Sequence, residues 1–208
     1  MKRGFFITFE GPEGSGKSSQ ARALARRLRR AGFRVELIRD PGSTALGRAL
    51  RRSLLHAPVS LSPMAEALLF IGGRVALVEE RIQPALARGR IVVCDRFHDS
   101  TVAYQGFGGG LEVPWLNRLG RAAIHHTMPS LTILLDLSTA DGFASLHRAR
   151  DRMERKALQF HRRVRAGFLR LAKREPGRFV VVDAADPADR VRHNVERAVF
   201  RRLNAHVV

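Results

Sequence analysis

Eight residues near the start of the chain, Gly11-Pro-Glu-Gly-Ser-Gly-Lys17-Ser18, constrain its fold more than any others. They fit the pattern G-x-x-x-x-G-K-[ST], and their surroundings fit as well. Phe5-Phe-Ile-Thr-Phe9 before them reads as a short buried strand, and Ser18 to Arg30 after them as a helix. Glycines let such a turn curl so that its backbone N–H groups point inward at phosphate oxygens, and the helix N-terminus adds partial positive charge. Lys17 can reach the outer phosphates, and the Ser18 hydroxyl can ligate Mg²⁺. Gly11, Glu13, Gly14, Ser15, Gly16, Lys17, Ser18 and Ser19 are therefore the expected contacts of a nucleoside triphosphate such as ATP. A glycine-rich turn without a ligand is the alternative, and the strand and helix on either side speak against it.

Further along, apolar residues recur at helical spacing at 21, 24, 25, 28 and 31, and Gly32 stops that helix. Arg34 to Arg39 alternates like a strand and ends in the turn Asp40-Pro41-Gly42. A short helix around 46–54 follows. Ser62-Pro63 opens another helix, which Pro84 kinks or Gly89 ends. Ile91-Val-Val-Cys94 is a buried strand closing on Asp95, Gln105 to Gly110 reads as a glycine-rich loop, and Pro114 begins a helix. Strands over 131–135 and 179–182 and helices over 158–171 and beyond Asp186-Pro187 complete the pattern. Five strands alternate with helices, and the first, third and fourth carry no charged alternation. The expected fold is α/β, a five-stranded parallel sheet flanked by helices, in one domain spanning 1–208. Ligands of such a sheet sit beyond the carboxyl ends of the strands, where the loop at 11–18, Asp40, Asp95 and Asp136 should gather.

The 208 residues hold 37 Lys+Arg against 19 Asp+Glu, a formal charge of +18, nearly all of it arginine. The basic residues are spread over several helices with no basic tail. They favour a solvated surface that attracts anionic substrates over a nucleic-acid-binding face. Cys94 is the single cysteine, so no intrachain disulfide is possible. Glu10 cuts short the apolar run after Met1-Lys2-Arg3, and no segment reaches the roughly 20 apolar residues of a membrane span. The expectation is a cytoplasmic protein without a membrane partner.

Asp95, at the end of a buried strand, stands where an acidic residue holds Mg²⁺ directly or through water; a helix-capping carboxylate is the other reading. Arg148, Arg150 and Arg152 lie between two helices where apolar periodicity vanishes. Either they belong to a lid, about 146–156, that neutralises phosphate charge in the transition state, or they are surface arginines.

Taken together the residues resemble the thymidylate (dTMP) kinase family, across essentially the whole chain. The likeness rests on Phe9-Glu-Gly-Pro-Glu-Gly-Ser-Gly-Lys17-Ser18, Arg39-Asp-Pro-Gly-Ser-Thr44, Leu69-Phe70 with Arg74, and Asp95-Arg96-Phe97. It continues through Asp99-Ser100 with Ala103-Tyr104-Gln105-Gly106, and Asp151-Arg152-Met153-Glu154. The resemblance implies the P-loop nucleoside monophosphate kinase fold with a short lid and a homodimer. It also implies ATP- and Mg²⁺-dependent phosphorylation of dTMP to dTDP. By the same likeness Glu13 and Asp40 face the dTMP side, and Arg51 and Arg96 hold the acceptor phosphate. Phe70 stacks on thymine with Arg74 at its edge, and Tyr104 packs where a 2′-hydroxyl would clash. Ser100 and Gln105 complete the base pocket, and Ser18 and Asp95 serve the metal. The phosphate loop carries Ser15 and no arginine, which resembles the subgroup that takes its catalytic arginine from the lid. That places Arg150 first and Arg148 second, beside Lys17 and Arg96. Asp40 replaces a usual glutamate and Phe97 a common tyrosine. The alternatives are a kinase for another nucleoside monophosphate and a basic nucleic-acid-binding protein with a phosphate loop.

Overall fold

The computed structural model describes residues 4–55, 60–146, 149 and 151–207, with 206 and 207 as backbone only. Strand β1 (Phe5–Glu10) is buried along its whole length, as its lack of charged alternation requires. It lies at the centre of a parallel five-stranded sheet of order β2-β3-β1-β4-β5, with β2 (Val35–Arg39), β3 (Ile91–Asp95), β4 (Leu131–Asp136) and β5 (Phe179–Asp183). The charges Glu36 and Arg39 are tolerated in β2 because it is an edge strand, only partly covered. Side chains alternate across the sheet. Phe5, Ile7 and Phe9 pack with Ala21, Leu24 and Leu28 of α1 (Lys17–Arg30) and with Val191, Val195, Val199 and Leu203 of α9 (Ala188–Val207). Phe6 faces the other way, into a core with Val92, Cys94, Leu77 and Ile82. Helix α8 (Leu158–Arg174) covers Leu134 on that second face.

Helix α2 (Ala45–Leu55) precedes α3 (Pro63–Leu77), whose Ser62 side chain accepts the Ala65 N–H as a cap. Pro84 does not end this helix. The chain widens into π-type turns over Val78–Ile82 and resumes as α4 (Gln83–Ala87), so the missing proline N–H and its bulky ring fall where the ladder is already loosened. Gly89, at φ 66, ends it.

The glycine-rich loop expected at 105–110 is largely helical instead. After α5 (His98–Thr101) the chain continues in wide turns over Val102–Gly108. Its glycines serve close packing: a Cβ on Gly108 would lie 2.7 Å from the Phe160 ring, and one on Gly167 of α8 2.6 Å from Phe107. Composition alone suggests a loop; the approach of α8 makes the same residues an interhelical contact. Helices α6 (Val113–Ala123) and α7 (Thr139–Ala144) complete the described elements. Among the described residues no helix is long and apolar enough to cross a membrane.

Candidate active site

The loop between β1 and α1 stands at the carboxyl edge of the central strand, with Gly11, Gly14 and Gly16 all at positive φ. Gly14 passes so close to Gly142 that a Cβ would come within 2.0 Å of its carbonyl oxygen. Lys17 is buried and folds back over the loop, its Nζ donating to Pro12 O at 2.5 Å and to Ser15 Oγ at 3.2 Å. Burial, reinforced by the neighbouring Arg96, pushes its pKa down to about 8 against the pull of Glu13 and Asp95. Ser18 Oγ donates to Asp95 Oδ2, and Arg39 Nε lies 3.5 Å from the same oxygen. A hydroxyl and a carboxylate thus meet at the loop's exit. That donor set suits a hard cation that keeps waters and substrate phosphates as its other ligands. Among the described residues there is no cluster of three or more His, Cys, Asp or Glu that could hold a metal by itself.

Beside the loop opens a cleft of about 640 Å³ including its mouth, lined by Glu13, Asp40, Arg51, Phe70, Arg74, Arg96, Ser100, Tyr104 and Gln105. Every acceptor-side residue named from the sequence is therefore brought to one place. Arg74 is 1 % exposed. Its Nε donates to Asp40 Oδ2 at 2.5 Å and its Nη2 to Thr101 Oγ1 at 2.9 Å, while Nη1 has no protein partner. Asp40 thus holds Arg74 in place. Burial raises the Asp40 pKa, with Arg74 opposing, and its Oδ1 is also unpartnered. Phe97, completely buried, lies 5.4 Å beneath the Arg74 guanidinium and edge-on to Phe6.

Arg96 adopts φ 67, an uncommon conformation for a non-glycine residue, which turns it back over the loop. Its guanidinium donates to Gly11 O at 3.3 Å, Ser100 Oγ at 3.2 Å and Glu13 Oε2 at 2.9 Å. Tyr104 donates to Glu13 Oε1 at 2.5 Å, and its ring lies 5.1 Å under Arg96. Glu13 therefore has two sides: its backbone belongs to the phosphate loop, but its carboxylate belongs to the acceptor cleft. Burial disfavours ionisation of that carboxyl, yet Arg96 and Lys17 outweigh it and hold the pKa below the usual value.

Some expectations change. Asp136, expected to gather at the site, is engaged by Arg165 through two bonds of 2.7 and 2.8 Å and lies outside the cleft lining. Arg152, grouped with the lid arginines by sequence, is an anchor: it donates to Leu54 O at 2.8 Å and Glu66 Oε1 at 2.7 Å. Ser100 serves Arg96 and Glu10 from the cleft wall. Arg148 and Arg150 lie outside the described residues. Cys94 is buried, and burial pushes its thiol well up, away from reactivity.

Two buried carboxylates were not among the expected site residues. Glu10 is fully buried and accepts from Phe97 N at 2.8 Å, Ser100 N at 3.3 Å and Ser100 Oγ at 2.5 Å. It thereby ties the end of β1 to the segment carrying Arg96. Burial, then Asp99, raises its pKa to about 8. The signal was present: a charge ending an otherwise apolar strand is unusual without a buried donor to meet it. Glu66 in the first turn of α3 looks like an ordinary helix N-terminal acid, and nothing local marks it.

The sequence profile of the family described as Thymidylate kinase matches residues 9–195. A thymidylate kinase from Deinococcus radiodurans is 46% identical over 204 residues, covering 97% of this chain and 99% of that protein. One from Thermomicrobium roseum is 50% identical over 188 residues, covering 89% of each. The crystal structure of thymidylate kinase from Ehrlichia chaffeensis superposes with a TM-score of 0.78 at 34% identity, covering 95% of this chain and 98% of that one. With a phosphate loop opening onto an arginine-lined acceptor cleft and likeness over nearly its full length, the chain belongs to the thymidylate kinase family.

Proposed function

We propose that this protein transfers the γ-phosphoryl group of ATP to dTMP, giving dTDP and ADP, as one kinase domain over 1–208 with residues 146–156 as its lid. The observation that carries the assignment is the unpartnered Arg74 Nη1, buried in a cleft that also holds Phe70, Tyr104 and Gln105. A buried guanidinium N–H without a partner is costly unless a ligand accepts it, and a pyrimidine carbonyl would do so.

In this reading ATP lies along the loop at 11–19, where its phosphates would give the Lys17 ammonium better partners than one carbonyl. Mg²⁺ would be held by Ser18 and Asp95, where it would neutralise charge on the donor's outer phosphates. Arg51 and Arg96 steady the acceptor phosphate, and Glu13 keeps Arg96 and Tyr104 in register. An oxygen of that phosphate, already ionised at neutral pH, attacks the γ-phosphorus as the bond to ADP breaks. No covalent intermediate and no strong general base is needed, since the rate comes from alignment and charge stabilisation. A homodimer and a cytoplasmic location belong to the same proposal and rest on the family alone.

Coupled ADP release with ATP-Mg²⁺ and each nucleoside monophosphate in turn tests the assignment. Turnover is expected with dTMP above all others; ATP consumption independent of any monophosphate would overturn it. Sugar choice follows from Tyr104, whose ring is pinned between Glu13, Arg96 and Phe168. Preference for dTMP over its 2′-hydroxyl counterpart should fall about tenfold in Tyr104→Leu and persist in Tyr104→Phe, which keeps the ring. Equal use of both sugars by the native protein would remove Tyr104 from this role.

A further inference from the structure

Gln105 lines the acceptor cleft, but its amide is oriented by a residue behind it. Glu66 is fully buried and lies outside the cleft lining. Its Oε2 accepts Gln105 Nε2 at 3.0 Å, its Oε1 accepts Arg152 Nη1 at 2.7 Å, and Lys156 Nζ reaches both oxygens at 2.9 and 3.0 Å. Burial by itself would raise the Glu66 pKa, but the hydrogen bonds from Gln105, Lys156 and Arg152 prevail and keep it lowered. Glu66 is therefore ionised at neutral pH, and an ionised carboxylate accepts but cannot donate. Only the N–H end of the Gln105 amide can face it. The carbonyl end, Oε1, is left for the cleft.

This matters for the base. Arg74 Nη1 is a donor without a protein partner in the same cleft, and Gln105, whose Nε2 is taken by Glu66, keeps Oε1 as its acceptor. A donor and an acceptor lining one cleft match a ring carbonyl next to a ring N–H, the edge that thymine presents. Cytosine presents the reverse, an amino group next to a bare ring nitrogen, and would set donor against donor and acceptor against lone pair. A glutamine free to turn could serve either base; one held by Glu66 cannot.

We propose that Glu66 is a positioning residue for base specificity, fixing the Gln105 amide so that the cleft accepts a carbonyl beside an N–H and rejects cytosine. The proposal rests on reading the cleft as the pyrimidine monophosphate site. Lys156 and Arg152 complete the carboxylate's shell and help keep it ionised.

Glu66→Gln keeps the shape but adds a donor, so the paired amides can settle either way. In steady-state assays its ratio of kcat/KM for dTMP over dCMP should fall about tenfold or more, because the dTMP contact is no longer enforced. Lys156→Arg, which keeps a cation on the Glu66 carboxylate and so leaves Glu66 holding Gln105, should keep the native ratio. An unchanged ratio in folded Glu66→Gln overturns the proposal. So does an equal shift in Lys156→Arg, which would make the effect one of general packing. Should Glu66→Gln not fold, the native protein decides with a dTMP analogue carrying C–H in place of the ring N3–H. That analogue should be poorer than dTMP by about tenfold or more, and equal turnover would overturn the inference. If the native protein phosphorylates no dTMP at all, the acceptor assignment itself has failed, and the proposal with it.

Discussion

In Lys17→Met, phosphorylation of dTMP is expected to fall by about 10²-fold or more, while the melting temperature stays at or above that of the native protein. The activity loss follows from removing a preorganised cation aimed at the transferring phosphates. The stability expectation follows from burial. In the folded protein the Lys17 pKa is depressed to about 8 from the usual 10.5. Between those values the unfolded chain binds more protons, so this group's contribution to stability rises with pH across about 8 to 10.5 and is a cost at lower pH. Methionine removes the cost. The same depression places a descending limb near pH 8 in kcat/KM for ATP, which reports the free enzyme. The limb should move to higher pH in kcat, where bound phosphates favour the ammonium, and Lys17→Met should flatten it. Near-normal turnover in a folded Lys17→Met protein would remove the phosphate-loop mechanism.

Arg150→Ala is expected to cut kcat by about 10³-fold while leaving the dTMP KM within a few-fold, and the double variant with Arg148→Ala should be close to inactive. Charge accumulates on the transferring phosphoryl oxygens, and the loop offers Ser15, engaged with Pro12 O, rather than an arginine of its own. Arg96 is committed to Glu13, Ser100 and Gly11, and Arg152 to Glu66 and Leu54, so neither is the free guanidinium the transition state needs. A group engaged only in the transition state lowers kcat more than it raises KM. Arg155→Ala, beyond the Asp151-Arg152-Met153-Glu154 motif, should be mild. Equal small losses at 148, 150 and 155 would show these arginines to be surface charge, and stopped-flow single-turnover rates would expose the difference directly.

Much of this protein was legible from local pattern. Apolar runs without charged alternation identified β1, β3 and β4 as strands covered on both faces, and glycine spacing followed by Lys17-Ser18 identified the phosphate loop. Phe70 and Arg74, four apart on one helix face, were bound to line the same space. Local pattern failed where packing outranked composition. Gly106 and Gly108 signal a loop to any propensity scale, yet α8 presses Phe160 so close that only a glycine fits at 108. At Pro84 loosened turns ahead of it absorb the lost hydrogen bond, and the helix ends at Gly89, one of the two outcomes the sequence offered.

The sequence by itself determined the parallel sheet and the position of the phosphate loop, because each rests on periodicity or on spacing within a few residues, whereas the set of side chains that meet in the acceptor cleft was implied by resemblance to the thymidylate kinase family. What only the tertiary structure decided is who holds whom. Glu10 reaches Phe97 across 87 positions of sequence, Glu66 reaches Gln105 across 39, and Arg152 anchors on α2. A buried carboxylate must find donors, but the chain pattern does not say which, since hydrogen-bond partners are chosen by the three-dimensional approach of elements distant in sequence.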